Sequence, residues 1–247
     1  MKTTKVLRRR ALSGDADAAF RLGYRRAFGP DRGSAQDWRR AAQWWKQAAG
    51  GGHVRAAFFL GTCYDDGKGV RRNTALAMRL YRQAADQGHD AAQYNYGFGL
   101  REGDGVRKNL QLAVRYFALA ARLGHDYAQR DLGYSYHEGE GIRRNFQLAV
   151  KWYRLAAEQG DAKAQFNLAL CYKHGEGVPV NQRRAAEWFL KAAAQSHLMS
   201  QVNLGYAYKD GLGVPRNLRQ AKRWFRRAAR HDAEARIQLK SLVKLRK

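Results

Sequence analysis

Four histidines stand in one register. His53, His89 and His125 are 36 residues apart, and His197 follows two periods later. Imidazole is the side chain most often recruited for metal binding and proton transfer near neutral pH. A metal ion, however, needs its donors within ~2 Å of one point, and side chains a full period apart do not share one ion. Each of the four precedes a helical pattern, which points to capping or turn roles. His137 and His174 lie in other registers, and no H-E-x-x-H spacing occurs. Cys63 and Cys171 share a register three periods apart, farther than the few ångströms a disulfide spans. They read as small buried residues. Glycine pairs recur without the Gly-Lys-Ser/Thr ending of a phosphate loop. Carboxylates such as Glu102 and Glu138 recur with the period, so pairing them as acid and base is arbitrary. No nucleophile constellation stands out. The sequence therefore predicts no catalytic residue, no metal site and no cofactor.

The period itself is the stronger signal. Gly-x-Gly recurs at Gly67/Gly69, Gly103/Gly105, Gly139/Gly141, Gly175/Gly177 and Gly211/Gly213. A β-branched residue follows each pair (Val70, Val106, Ile142, Val178, Val214), and three residues later comes Asn73, Asn109, Asn145, Asn181 or Asn217. Ala-Ala pairs close the units at Ala84-Ala85, Ala120-Ala121, Ala156-Ala157, Ala192-Ala193 and Ala228-Ala229. An upstream unit carries two extra residues around Gly29-Pro30-Asp31-Arg32-Gly33. About six units result, at 14–51, 52–87, 88–123, 124–159, 160–195 and 196–231, with half-repeat caps at 1–13 and 232–247. Terminal half-units of this kind shield the last apolar faces.

Each unit reads as two helices. In the third, the pattern predicts a first helix over 91–101 and a second over 110–123. Asp90 with Gln93, and Asp126 with Gln129, have the spacing of capping boxes. The Asn column stands at N-caps, and the Gly124 column supplies helix stops. Ala113, Tyr116, Phe117, Ala120 and Ala121 recur at helical spacing, as do Trp44-Trp45, Trp152-Tyr153, Trp188-Phe189 and Trp224-Phe225. This aromatic stripe is core, and small residues such as Gly97, Gly133 and Gly205 let helices approach.

Composition bounds the rest. Among 247 residues, 46 Lys and Arg face 21 Asp and Glu, a formal charge of +25. Such an excess favours anionic partners, whether acidic protein, nucleic acid or lipid. A hydrophobic share of 45% excludes disorder. No leader-like or membrane-spanning apolar run is present, and two cysteines predict a reducing, cytoplasmic setting.

The segment Ala162-Lys-Ala-Gln-Phe-Asn-Leu-Ala-Leu-Cys-Tyr172, with Gly175-Glu-Gly-Val178, Ala185-Ala-Glu-Trp-Phe189 and Ala192-Ala193, resembles the Sel-one-like repeat family. This is a branch of the tetratricopeptide-like superfamily. The resemblance covers about residues 14–233. It implies an all-α, right-handed α/α superhelical solenoid with a concave face, working as an adaptor or scaffold for protein complexes and carrying no shared catalytic residues. The disulfide in every repeat of some secreted relatives is missing here.

In such a solenoid one face of each first helix lines the groove. Subtracting the packing positions leaves Phe59, Asn95, Asp131, Asn167 and Asn203 in one column, and Phe98, Tyr134, Leu170 and Tyr206 in a second. Amides suit an extended peptide backbone and aromatics suit anchors; alternatively, the amides satisfy neighbouring loops. A third column (Asp66, Glu102, Glu138, His174, Asp210) is partly acidic, so the basic charge collects elsewhere. Arg71, Arg72, Arg107, Lys108, Arg143, Arg144 and Arg216 follow the glycine loops and would form a ridge, at spacings of about 10 Å. The sequence thus predicts a groove that captures a protein partner, with the ridge attracting its acidic surface. Nucleic acid or another polyanion on the ridge is the alternative, though no helix-turn-helix, zinc-finger or RNP pattern supports it.

Overall fold

The computed structural model of the chain describes residues 2–29 and 35–244. Past Gly29, the expected two-residue insertion lies outside these residues, as do Met1 and residues 245–247 of the two expected caps. Among the described residues there are fourteen α-helices and no strand, and the chain forms two compact units. The first, Met1–His125, holds α1 (Lys2–Leu12), α2 (Ala16–Phe28), α3 (Ala35–Gly50), α4 (Val54–Asp66), α5 (Thr74–Ala85), α6 (Asp90–Glu102) and α7 (Leu110–Arg122). The second, Asp126–Lys247, holds α8 (Asp126–Glu138), α9 (Phe146–Glu158), α10 (Ala162–His174), α11 (Gln182–Ala194), α12 (Leu198–Asp210), α13 (Leu218–Ala228) and α14 (Ala233–Lys244). Within each unit successive helices pack as antiparallel hairpins stacked side by side, an all-α solenoid built from one repeated helix pair.

The turn inside each pair explains the fixed period. Gly103 ends α6 in the left-handed conformation, φ 79°, and its N–H and that of Asp104 both donate to the Gly99 carbonyl. This closes the orphan carbonyls of the last turn. Two residues on, Gly105 has φ 67°, and a Cβ there would lie 2.5 Å from the Thr74 carbonyl atoms at the start of α5. Asn109 then does two things. Its Oδ1 accepts from Leu112 N at 2.9 Å, capping α7, while its own N–H donates to Leu100 O at 2.8 Å, back in α6. Asn73, Asn145, Asn181 and Asn217 repeat both bonds.

The stop at the end of each second helix uses a glycine with positive φ at Gly14, Gly52, Gly88, Gly124 and Gly160; in the sixth unit Ser196 takes that conformation at φ 66°. The next helix start departs from the capping boxes expected at Asp90 and Gln93. The residue before, His89, is the N-cap of α6, and its Nδ1 accepts from Ala92 N. Imidazole Nδ1 sits as far along the side chain as an Asp oxygen, so it reaches the same amide. Gln93 instead turns backward, donating from Nε2 to Ala85 O at 3.2 Å. His53 and His197 cap α4 and α12 in the same way, and Asp15 and Asp161 take the role in α2 and α10. For Asp126, now the first residue of α8, Oδ1 accepts from Tyr127 N.

The aromatic pairs divide their labour. Trp45, Tyr81, Phe117, Tyr153, Phe189 and Phe225 are buried, each beneath the small residue of the partner helix. A Cβ added at Gly97 would come 3.0 Å from the Phe117 ring, and one at Gly205 2.5 Å from Phe225. Ala169 already fills this place above Phe189. The first member is half-buried in four pairs, at Trp44, Tyr116, Trp152 and Trp188, and the Lys191 ammonium lies 3.9 Å from the Trp188 ring centroid.

Two outcomes test this account. Gly205→Ala should lower stability by about 1–2 kcal/mol, because overpacking against Phe225 exceeds the helix-propensity gain. Gly97→Ala, with its roomier contact, should be near neutral; urea midpoints of the two variants decide. The second concerns His89, whose pKa burial pushes below its ordinary value. Folding thus favours the neutral ring, whose stabilisation is present above the unfolded-state pKa of about 6.5 and is lost as pH falls through the lower folded value. His89→Asn keeps a neutral capping oxygen. Its stability should fall less than wild type between pH 7.5 and 5.5, a difference read from denaturant titrations at both pH values.

Candidate partner-binding surfaces

The first groove column is tied into the protein at most positions. Phe59 stacks on Trp45, with ring centroids 5.1 Å apart, inside an aromatic cluster that includes Phe20, Tyr24 and Phe28. Asn95 hydrogen-bonds the Tyr81 hydroxyl. Asp131 is buried and pairs with Arg130 Nε at 2.8 Å. Asn203 accepts from Lys173 Nζ at 3.0 Å and donates to Met199 O at 2.8 Å. Asn167 is half-buried and engages no partner among the described residues. In the second column Phe98 and Tyr134 stand open at 41% and 44% exposure, with the Arg101 guanidinium 4.9 Å from the Phe98 ring centroid. Leu170 packs on the core. Tyr206 donates its hydroxyl to Glu234 at 2.7 Å and rests edge-on against Phe225. Desolvation and this carboxylate push its pKa up to about 12. Three acids of the third column are held locally: Asp66 by Lys68, Glu102 by Arg101, Glu138 by His137.

The basic loop pairs split by position. The second residue of a pair reaches back to the end of its first helix. Arg72 Nε donates to Asp65 O, Arg144 Nη2 to Glu138 O and Arg216 Nε to Lys209 O. Cations there satisfy last-turn carbonyls and complement the helix dipole. Arg71, Arg107 and Arg143, and Lys108 in the second position, are exposed and make no ion pair or side-chain hydrogen bond among the described residues. Arg143 and Arg144 line a cavity of about 530 Å³ with Tyr136 and Phe146.

A larger basic surface lies at the end of the second unit. Arg223, Arg226, Arg227, Arg230 and His231 line a cavity of about 850 Å³, opposite Ala193, Ala194, Ser196, Leu198 and Gln201. No carboxylate lines it. Arg227 stacks over Trp224 at 4.7 Å, which stiffens its guanidinium. Arg223, Arg226, Arg230 carry no ion pair among the described residues. Three of these arginines are legible as a basic helix face in the sequence. Arg230 and His231 escape notice because the cavity forms only when α13 folds back against the turn between α11 and α12.

Both thiols are buried, and burial pushes each up to about 12, so neither is ionised near neutral pH. One mixed cluster was not visible in the sequence. His137 Nε2 lies 2.9 Å from Glu176 Oε2, its Nδ1 lies 2.7 Å from Glu138 Oε1, and Cys171 Sγ completes a trio of donor atoms within 4.8 Å of one another. Burial opposes a charged ring here, yet the hydrogen bonds to Glu176 and Glu138 outweigh it and raise the His137 pKa. No described helix is long and apolar enough to cross a membrane.

The Sel1 repeat family model matches residues 16–53, 54–89, 90–125, 126–161, 162–197 and 198–232. Each match begins two residues after the boundary read from the glycine column. Among solved structures, c5321, a protective antigen of uropathogenic Escherichia coli strains displaying an SLR fold, is 34% identical, with a TM-score of 0.88. The alignment covers 96% of this chain and 50% of that one, so the chain spans about half the length of that protein. A Sel1 repeat protein from Oxalobacter formigenes is 29% identical over 95% of this chain and 90% of its own, with a TM-score of 0.79. Comparison with curated proteins gives no match. Sel1 repeats form a non-catalytic helical scaffold that binds protein partners. With six contiguous matches from residue 16 to 232, the chain belongs to the Sel1 repeat family.

Proposed function

We propose that this chain is a non-enzymatic scaffold that captures an acidic segment of a protein partner, and that the arginine cavity of the second unit recognises the charge. The carrying observation is the lining of that cavity: four guanidinium groups and one imidazole, with no carboxylate among them. Guanidinium groups recognise carboxylates through paired, charge-assisted hydrogen bonds. A cavity of about 850 Å³ has room for several acidic side chains. Exposed Tyr134, in the same unit, supplies an apolar anchor for the flanking segment, with the amide of Asn167 free to meet its backbone. Arg71, Arg107 and Arg143 add long-range attraction, since exposed unpaired cations act chiefly on association. Two buried thiols, both free, fit a reducing setting such as the cytoplasm.

A fluorescence anisotropy titration with a labelled Glu-rich peptide and, separately, a random-sequence DNA duplex tests this reading. The peptide should bind, and Arg226→Ala with Arg230→Ala should weaken it at least about tenfold, a charged hydrogen bond being worth about 1.5–3 kcal/mol. Tyr134→Ala with Asn167→Ala should weaken it further without loss of helicity. Arg71→Ala with Arg107→Ala should slow association and flatten its salt dependence, with little change in dissociation. Duplex binding with a steep salt slope, and no peptide binding, would replace the protein partner by a polyanion.

A further inference from the structure

The cluster around His137 is built differently from anything else in the repeats. His137 stands in the last turn of α8, Cys171 in the last turn of α10, and Glu176 in the glycine loop that follows. They present one imidazole nitrogen, one sulfur and one carboxylate oxygen, all within 4.8 Å of one another. Donors around a tetrahedral zinc lie roughly 3.4 Å apart, given metal–ligand bonds of about 2.0–2.3 Å. The Nε2–Oε2 pair at 2.9 Å needs only to open slightly, and the sulfur to approach. Metal-binding histidines usually carry a second feature: the other ring nitrogen donates to a carboxylate, which fixes the tautomer and ring orientation. Glu138 supplies it, with Oε1 2.7 Å from Nδ1.

The rest of the chain provides an internal control. Cys63 occupies the same column and is equally buried. In its surroundings Ala27 stands in the place of His137 and Lys68 in the place of Glu176, so only one of the two cysteines has the donor set. The burial of Cys171 and partial exposure of Glu176 make the site closed on the sulfur side and open on the carboxylate side. A cation could enter there without unfolding the pair of helices.

We propose that His137, Cys171 and Glu176 form a three-ligand site for a borderline transition-metal dication, Zn2+ in the first instance, with Glu138 orienting the imidazole. Nitrogen, sulfur and oxygen donors together suit Zn2+ rather than Mg2+ or Ca2+, which take oxygen alone. Three protein ligands leave a fourth position for water or for a side chain of a bound partner. Binding replaces protons with the cation: the Cys171 thiol releases its proton to solvent as the Sγ–Zn bond forms, and Nε2 binds as the neutral imidazole nitrogen while Nδ1–H donates to Glu138.

Untagged, chelator-stripped protein titrated with Zn2+ by calorimetry, and with Co2+ by absorption spectroscopy, is the test. Wild type should bind one Zn2+ per chain and show a thiolate-to-Co2+ charge-transfer band. Cys171→Ser should abolish the band and weaken Zn2+ at least about a hundredfold. It should fold, because Ser135 already occupies this column, buried and bonded to the Asp131 carbonyl. His137→Gln should behave likewise. Glu138→Gln should weaken Zn2+ by about 10–100-fold while keeping the band. Cys63→Ser should change nothing. Absence of Zn2+ binding by wild type, affinity equal in wild type and Cys171→Ser, or a band that follows Cys63 would each overturn the site.

Discussion

In five of the six helix pairs, everything hangs from the asparagine that joins the two helices. One residue caps the second helix with its side chain and ties its backbone to the last turn of the first. Two bonds from a single position fix where the second helix starts and how it leaves the first. An N-cap alone is worth about 1 kcal/mol; here the larger effect is geometric. The preceding glycines allow the chain to turn in the left-handed conformation, and the second of them lets the loop touch the backbone of the previous pair. A Cβ at that point would push the pairs apart, so the interval between pairs is set by backbone contact rather than by side-chain packing. That is why the period tolerates Trp, Tyr or Phe beneath the small residue but shows no change in length across five units.

Between pairs a second device recurs, and its one exception explains it. His53, His89 and His125 stack on Phe20, Phe58 and Tyr94, and His197 lies tilted against Phe166, with ring centroids 4.4–4.8 Å apart. Where the histidine becomes Asp161, the aromatic becomes Arg130, and the contact becomes an ion pair at 3.0 Å. Asp161 still caps α10. Both partners are mostly buried, so losing either would strand a charge, whereas the stacked pairs lose only contact area. The cap is the constant; the means of fastening it to the preceding repeat is interchangeable.

Much of this was legible in the sequence because a repeat is its own alignment. The Asn and Gly columns declared the caps and stops, and the aromatic stripe declared the core, since helical spacing and small–large alternation are local properties. What stayed hidden depended on neighbouring repeats or loop conformation. Asp90 looked like a cap because the motif favours acidic residues; nothing local says that a histidine nitrogen one residue earlier reaches the amide first. Arg72 and Arg71 are indistinguishable as letters, yet the loop aims one at a carbonyl and leaves the other in solvent. Likewise, His137 and Cys171 are 34 residues apart, off the 36-residue register. They meet because the last turn of one first helix packs beside that of the next. The groove columns suffered the same blindness: Asn95 and Asn203 face the chain's own hydroxyl and ammonium groups, which no spacing rule reveals.

The charge excess follows from how the acidic residues are deployed. Asp15, Asp161 and Asp232 accept backbone amides at helix starts. Asp131 and Asp161 neutralise Arg130, Glu102 pairs with Arg101, and Glu138 and Glu176 flank His137. Asp65 and Asp86 accept from the hydroxyls of Tyr81 and Tyr116. Carboxylates are thus drawn into capping and pairing within the repeats, while many arginines face solvent with nothing opposite. Adding a few surface acids would neutralise them at little structural cost, because exposed pairs contribute only about 0–1 kcal/mol. The fold does not require bare cations, and self-repulsion makes them mildly unfavourable. Their concentration in a carboxylate-free cavity beside α13 is the feature on which the proposed capture of an acidic segment rests.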